Sequence, residues 1–283
     1  MKKFGVVGAG TMGAGIAQSA ALAGMHVILC DISEEILRRA HRLMSDDLGK
    51  AVGKSILSQQ ESLDALARIT ASTSLESLRE SDIVVEAVVE ELAVKKDLFS
   101  RLEEICSDST IFASNTSSLS ITALASGLRY PSRVVGMHFF NPAHRMKLVE
   151  VIGGSQSSEE TLSRTLELAR LLGKSPVLVK DTPGFIVNRV ARPFYGEALR
   201  LLGEGIATIE DIDMIVKEEG GFKMGPFELM DLIGIDINFA VTKSMYEQTF
   251  GEPRYRPHAI QQAMVNAVKL GKKTGKGFYN YDR

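Results

Sequence analysis

The sequence predicts a doubly wound α/β domain followed by an all-α C-terminal domain, and three observations carry that prediction. Short β-rich runs alternate with helical stretches through the first two thirds of the chain. One of those runs, residues 82–89, is an apolar series of β-branched residues, as expected of a strand covered on both faces. After Asp181 the texture changes: Pro183 and Gly184 break the chain, and the pattern is helical almost to the end.

In chain order, residues 4–7 read as a strand that ends in glycines, 11–24 as a helix, and 26–30 as a strand that stops on Asp31. A long polar stretch with helical character follows over 33–68. The strand at 82–89 precedes a helix at 92–106, and further strands are expected at 111–113, 134–139 and 148–152, giving a parallel sheet. Beyond the break, helices are expected at 185–202, 209–219, 226–250 (interrupted near Gly234) and 257–270. A chain of 283 residues exceeds what one core usually serves, so two domains are expected, 1–182 and 183–283.

The composition excludes several classes. A formal net charge of −2 gives no global field favouring nucleic acid, so any anion must be held by a local cluster. Cys30 and Cys106 have no metal-type spacing and read as buried free thiols in a reducing compartment, with no metal site expected. No apolar run approaches the roughly 20 residues of a membrane span. The N-terminal Met1-Lys2-Lys3 could imitate a secretory signal, but glycines and polar residues interrupt the apolar stretch behind it; a cytoplasmic protein is expected.

Those glycines have a better reading. Gly8-Ala9-Gly10-Thr11-Met12-Gly13 is a GxGxxG turn placed after a strand and at the start of a helix, with Asp31 about 20 positions on at the end of the second strand. Gly8 allows the tight turn, Gly10 lets the backbone approach a pyrophosphate, and Gly13 lets helix and strand pack closely. Asp31 suits the ribose hydroxyls and repels a 2′-phosphate, so the expected cofactor is NAD rather than NADP, bound by a Rossmann-type domain.

A dehydrogenase needs a base that titrates near neutrality, and histidine is the usual one. Of the five histidines, His26 opens a strand, while His41 and His258 lie in polar helical regions. His138 sits toward the end of an apolar strand, just before Asn141-Pro142, on the side where ligands of open α/β sheets gather. His144 in the next loop is the alternative base. Glu150 lies inside the following apolar run, where a carboxylate is costly unless paired, and a histidine is a natural partner. A buried hydrogen-bonded histidine without catalytic duty is the competing reading of His138. Residues 114–118 read by themselves as a polar turn and helix cap, and Lys50 and Lys54, four apart on one helix face, as a solvated surface.

With these motifs in place, the chain resembles the short-chain L-3-hydroxyacyl-CoA dehydrogenases, and among them the bacterial 3-hydroxybutyryl-CoA dehydrogenases. The likeness runs nearly end to end. It is carried by the glycine turn, Ser114-Asn115-Thr116-Ser117-Ser118, Gly136-Met137-His138-Phe139-Phe140-Asn141-Pro142, residues 181–189, residues 225–231 and the closing residues 273–279. The resemblance implies His138 as general base, Glu150 as its orienting carboxylate, and Ser117 and Asn188 as groups that hold the reacting oxygen. It implies that Glu90, Lys95, Asn115, Ser117 and Asn141 help bind NAD, alongside Thr11 and Met12 of the glycine turn. It also implies that basic residues near Lys50 and Lys54 meet the phosphates of an acyl-CoA substrate. Without it, Glu90 and Lys95 look like a solvated helix start. Two other readings stay open: the same chemistry on a hydroxy acid without CoA, and a structural protein that kept the fold and lost catalysis. The apolar helical domain is expected to pair with its copy in a homodimer.

Overall fold

Eight strands form one sheet in the computed structural model, which describes residues 1–281. The first half-sheet is built from β1 (Lys3–Val7), α1 (Thr11–Leu22), β2 (His26–Cys30), α2 (Glu34–Gly53), α3 (Gln59–Ala67) and β3 (Ile69–Ser72). The second follows as β4 (Ile83–Glu86), α4 (Leu92–Ile105), β5 (Ile111–Ser114), α5 (Ile121–Ala125), β6 (Val134–Phe139), β7 (Leu148–Gly153), α6 (Glu159–Leu171) and β8 (Ser175–Lys180). The strand order is β3-β2-β1-β4-β5-β6-β7-β8. The chain therefore reverses its direction of winding between β1 and β4, and doubly wound sheets bind ligands at the carboxyl ends of the strands flanking such a reversal.

The sheet departs from the all-parallel expectation in one place. β6 and β7 are antiparallel, and β8 runs parallel to β7, so the last two strands oppose the rest. The reason is local: only residues 140–147 join β6 to β7, too few for the helical crossover a parallel pair needs. Two further differences have local causes. The polar stretch 33–68 is two helices, because Ser55 takes a positive φ of 56° and Ser58 restarts the chain with a capping box to Glu61. Strands β3 and β8 were not expected from the sequence: both are edge strands, β3 is a short mixed run that buries none of its side chains, and β8 carries Pro176, which argues against a strand.

Core residues such as Val6, Ile16, Leu29, Ile83, Val85, Val135 and Val149 pack as one cluster around the sheet. The chain divides into two compact units, Met1–Thr182 and Pro183–Arg283. The second contains α7 (Val187–Gly203), α8 (Ile209–Glu218), α9 (Pro226–Ile233), α10 (Ile235–Gln248) and α11 (Ala259–Asn266), around a core that includes Tyr195, Leu199, Phe227, Met230 and Ile235. Among the described residues, no helix is long and apolar enough to cross a membrane.

Candidate active site

The glycine turn sits between the ends of β2 and β4. Gly8 N–H donates to the Cys30 carbonyl at 2.8 Å, and its φ of +97° belongs to the left-handed region. A Cβ on Gly13 would lie 1.7 Å from the Gly8 carbonyl oxygen, so helix and turn touch only because it is absent. At Gly10 a Cβ would meet nothing within 4 Å, and Gly10 caps α1 without a side-chain hydrogen bond. Asp31 Oδ2 accepts from the Ala9 N–H at 2.8 Å and Oδ1 from Ser33, which fixes its carboxylate beside the turn. An open cradle at a helix N-terminus with a carboxylate beside it fits a dinucleotide, phosphates on the N–H groups and ribose on the acid. Thr11 and Met12 are the first residues of α1.

The antiparallel turn-back of the sheet builds the second cluster. In the β6–β7 register, His138 stands directly opposite Glu150, and directly opposed residues share a face. Their side chains meet, His138 Nδ1 to Glu150 Oε2 at 2.7 Å, in a buried setting. A carboxylate at Nδ1 favours the tautomer that carries its proton on that nitrogen. Asn115, after β5, ties its own loop to the same strand by accepting the Phe139 N–H at Oδ1, 2.9 Å. Asn141 is exposed in the loop after β6. The alternative base His144 lies in that loop, 3.4 Å from Asp47 of α2. Burial, outweighing Asp47, lowers its pKa and favours the neutral form.

Beside it lies a buried ionic network that the sequence did not suggest. Glu86, at the end of β4, is fully buried and accepts from Lys95 Nζ at 2.5 Å, Ser114 Oγ at 2.6 Å and the Val88 N–H at 2.8 Å. Lys95 also pairs with Glu90 at 3.2 Å. Glu90 Oε1 accepts from Thr116 Oγ1 at 2.6 Å and the Ser117 N–H at 2.9 Å. Burial pushes the Glu90 carboxyl up, but Lys95 and these hydrogen bonds together hold it below the ordinary glutamate range. The solvated helix start suggested by composition is thus corrected for Lys95, which is 1% exposed. Its partner Glu86, inside an apolar strand, was the available signal: a lone acid in a β-branched run needs a cation. Residues 114–118 supply Ser114 and Thr116 as internal ties, and the cap of α5 falls to Ser120.

Lys50 and Lys54 are exposed at the C-terminal end of α2. Asp47, on the same helix, meets both His144 and Arg145 (3.6 Å), so this end of α2 stands against the loop that follows His138. Asn188 opens α7 in the second unit.

By fold and site the chain falls among the dinucleotide-binding oxidoreductases. Residues 3–182 match the family described as 3-hydroxyacyl-CoA dehydrogenase, NAD binding domain, and residues 184–281 match its C-terminal domain. A 3-hydroxyadipyl-CoA dehydrogenase of Escherichia coli is 47% identical over 98% of this chain, which spans 58% of that protein's length. A 3-hydroxybutyryl-CoA dehydrogenase of Clostridioides difficile is 41% identical over 99% of this chain and all of its own. The crystal structure of (S)-3-hydroxybutyryl-CoA dehydrogenase from Ralstonia eutropha superposes with a TM-score of 0.96 at 42% identity, covering 100% of both chains. The chain belongs to the 3-hydroxyacyl-CoA dehydrogenase family.

Proposed function

We propose that the chain interconverts (S)-3-hydroxybutyryl-CoA and acetoacetyl-CoA, with the His138–Glu150 pair moving the proton. The observation that carries this reading is the 2.7 Å contact between His138 Nδ1 and Glu150 Oε2 at the carboxyl end of β6. Bound NAD supplies the acceptor for the hydride that leaves C3 of the substrate. His138 takes the 3-hydroxyl proton at Nε2, and Glu150 holds the ring in the needed tautomer and stabilises the imidazolium. In the reverse direction His138 returns that proton to the 3-keto oxygen. Ser117 donates a hydrogen bond to this oxygen as charge builds on it, and the family pattern gives Asn188 the same duty. Asp31 accepts from the adenosine ribose. Glu90, steered by Lys95, and the Asn115 and Asn141 amides line the rest of the nicotinamide side. Lys50 and Lys54 meet the CoA phosphates.

Loss of NADH absorbance on mixing with acetoacetyl-CoA tests the activity. His138→Gln is expected to lower turnover by about 10²–10⁴-fold while NADH binding, followed by fluorescence, stays unchanged. Near-normal turnover in that variant would remove His138 from the mechanism. The Escherichia coli relative's name makes a longer, dicarboxylic acyl ester the second substrate to compare.

A further inference from the structure

Arg192 of α7 is 5% exposed, yet its partners are neutral. Nη1 donates to the Asn238 carbonyl at 2.8 Å and to Thr242 Oγ1 at 3.0 Å, and the guanidinium lies 4.9 Å from the centre of the Tyr195 ring. No carboxylate pairs with it among the described residues. A guanidinium stays charged, and a buried charge without a counterion is strongly unfavourable. Two buried donors here also lack an acceptor: Arg192 Nε, and Nδ2 of Asn238, whose Oδ1 already accepts from Gln261 at 2.8 Å. A small cavity of about 10 Å³ adjoins Arg192, lined also by Thr242, Arg254, Arg256, His258 and Gln261. That is the room one water-sized species takes. The wall is basic, and Glu252 beside it is engaged by Arg254 at 3.0 Å. Burial pushes the Arg192 guanidinium down to about 10, the direction expected of a cation with no acid near it.

We propose that this cavity in the helical unit is an anion site, in which a halide-sized ion or one carboxylate group accepts from Arg192 Nε. A water molecule could accept the same hydrogen bond but would leave the charge uncompensated, and this decides for an anion. The ligand has two sources. One is a free monovalent ion. The other is the far carboxylate of a dicarboxylic acyl ester, the substrate class in the Escherichia coli relative's name. The second source rests on the proposed function and the first does not.

Thermal unfolding of the whole chain is measured against sodium bromide, with sodium gluconate holding ionic strength constant, and bromide-soaked crystals are examined by anomalous diffraction. A free-ion site is expected to raise Tm by about 2–4 °C in bromide, to abolish that rise in Arg192→Met, and to place an anomalous peak beside Arg192 Nε. The wild-type titration and the diffraction need no variant, so a misfolded Arg192→Met leaves the test standing. A carboxylate source is expected instead to make Arg192→Met lose at least about tenfold in the ratio of kcat/KM for the 3-hydroxyadipyl ester over the 3-hydroxybutyryl ester, as losing a hydrogen-bonded charge partner does. Flat bromide response, no anomalous peak and an unchanged ratio together overturn the proposal. Absence of all dehydrogenase turnover would count against the proposed function alone, since the bromide measurements decide the site without it.

Discussion

At Gly13 and Gly10 the same residue type does opposite work. The Gly13 position has no space for a methyl group, since the Gly8 carbonyl occupies it, whereas the Gly10 position faces open space. Gly13→Ala is therefore expected to destabilise the protein by about 2 kcal/mol or more, through forced displacement of α1. Gly10→Ala is expected to leave Tm unchanged and weaken NADH, because its methyl projects where the pyrophosphate approaches. Thermal melts and fluorescence titrations on the two variants separate these effects, and a stable Gly13→Ala would contradict the packing argument. Glu103 shows how a residue couples to pH. Burial pushes its carboxyl up, but the N–H groups of Arg129 and Tyr130 and the Arg133 guanidinium bring it net below the ordinary value of 4.5. A folded-state pKa below the unfolded one contributes stability that is present above about 4.5 and lost as pH falls through the lowered value. Glu103→Gln should thus be less stable than its parent at neutral pH, and urea titrations should show the gap narrowing in acid.

Among the elements, the loop joining β6 to β7 follows directly on the strand that carries His138, and it is held from three sides. Buried Lys174 donates to the Ala143 carbonyl at 2.5 Å and to that of Met146 at 3.0 Å. Ala143 packs against Gly15 of α1, and Asp47 of α2 meets His144 and Arg145. The same helix end, which meets the loop after His138, carries Lys50 and Lys54. Replacing both with alanine is expected to raise KM for the CoA ester several-fold, spare that for NAD, and flatten the salt dependence of the former. Steady-state kinetics at two ionic strengths checks this; equal weakening of NAD would assign the lysines another task.

For the whole molecule, the helical unit leaves large apolar side chains uncovered, among them Val190, Met214, Ile215, Phe222, Leu232 and Ile237, each more than half exposed. Surface of that extent usually meets a partner, and a symmetric pair of chains is the commonest solution. Light scattering coupled to size exclusion is expected to give twice the 30.8 kDa chain mass, and a strict monomer would refute the pairing.

Much of this architecture was written in local patterns. A turn that needs glycine, a helix that follows it and an acid at the end of the next strand depend on neighbours in sequence, so Gly8, Gly10, Gly13 and Asp31 could be read directly. His138 and Glu150 were legible for a related reason: each is a polar residue in an apolar strand, and burial must be compensated. What the sequence could not carry was direction and distance. Whether Glu150 would face His138 depended on β7 turning back against β6, which only the paired strands decide, through a connection too short to cross over. Lys95 was singled out only by the resemblance, because by itself it looks like part of a solvated helix start. Its burial comes from Glu86 and Glu90, delivered by the end of another strand and the loop beyond it, and a contact of that kind exists only once the chain has folded.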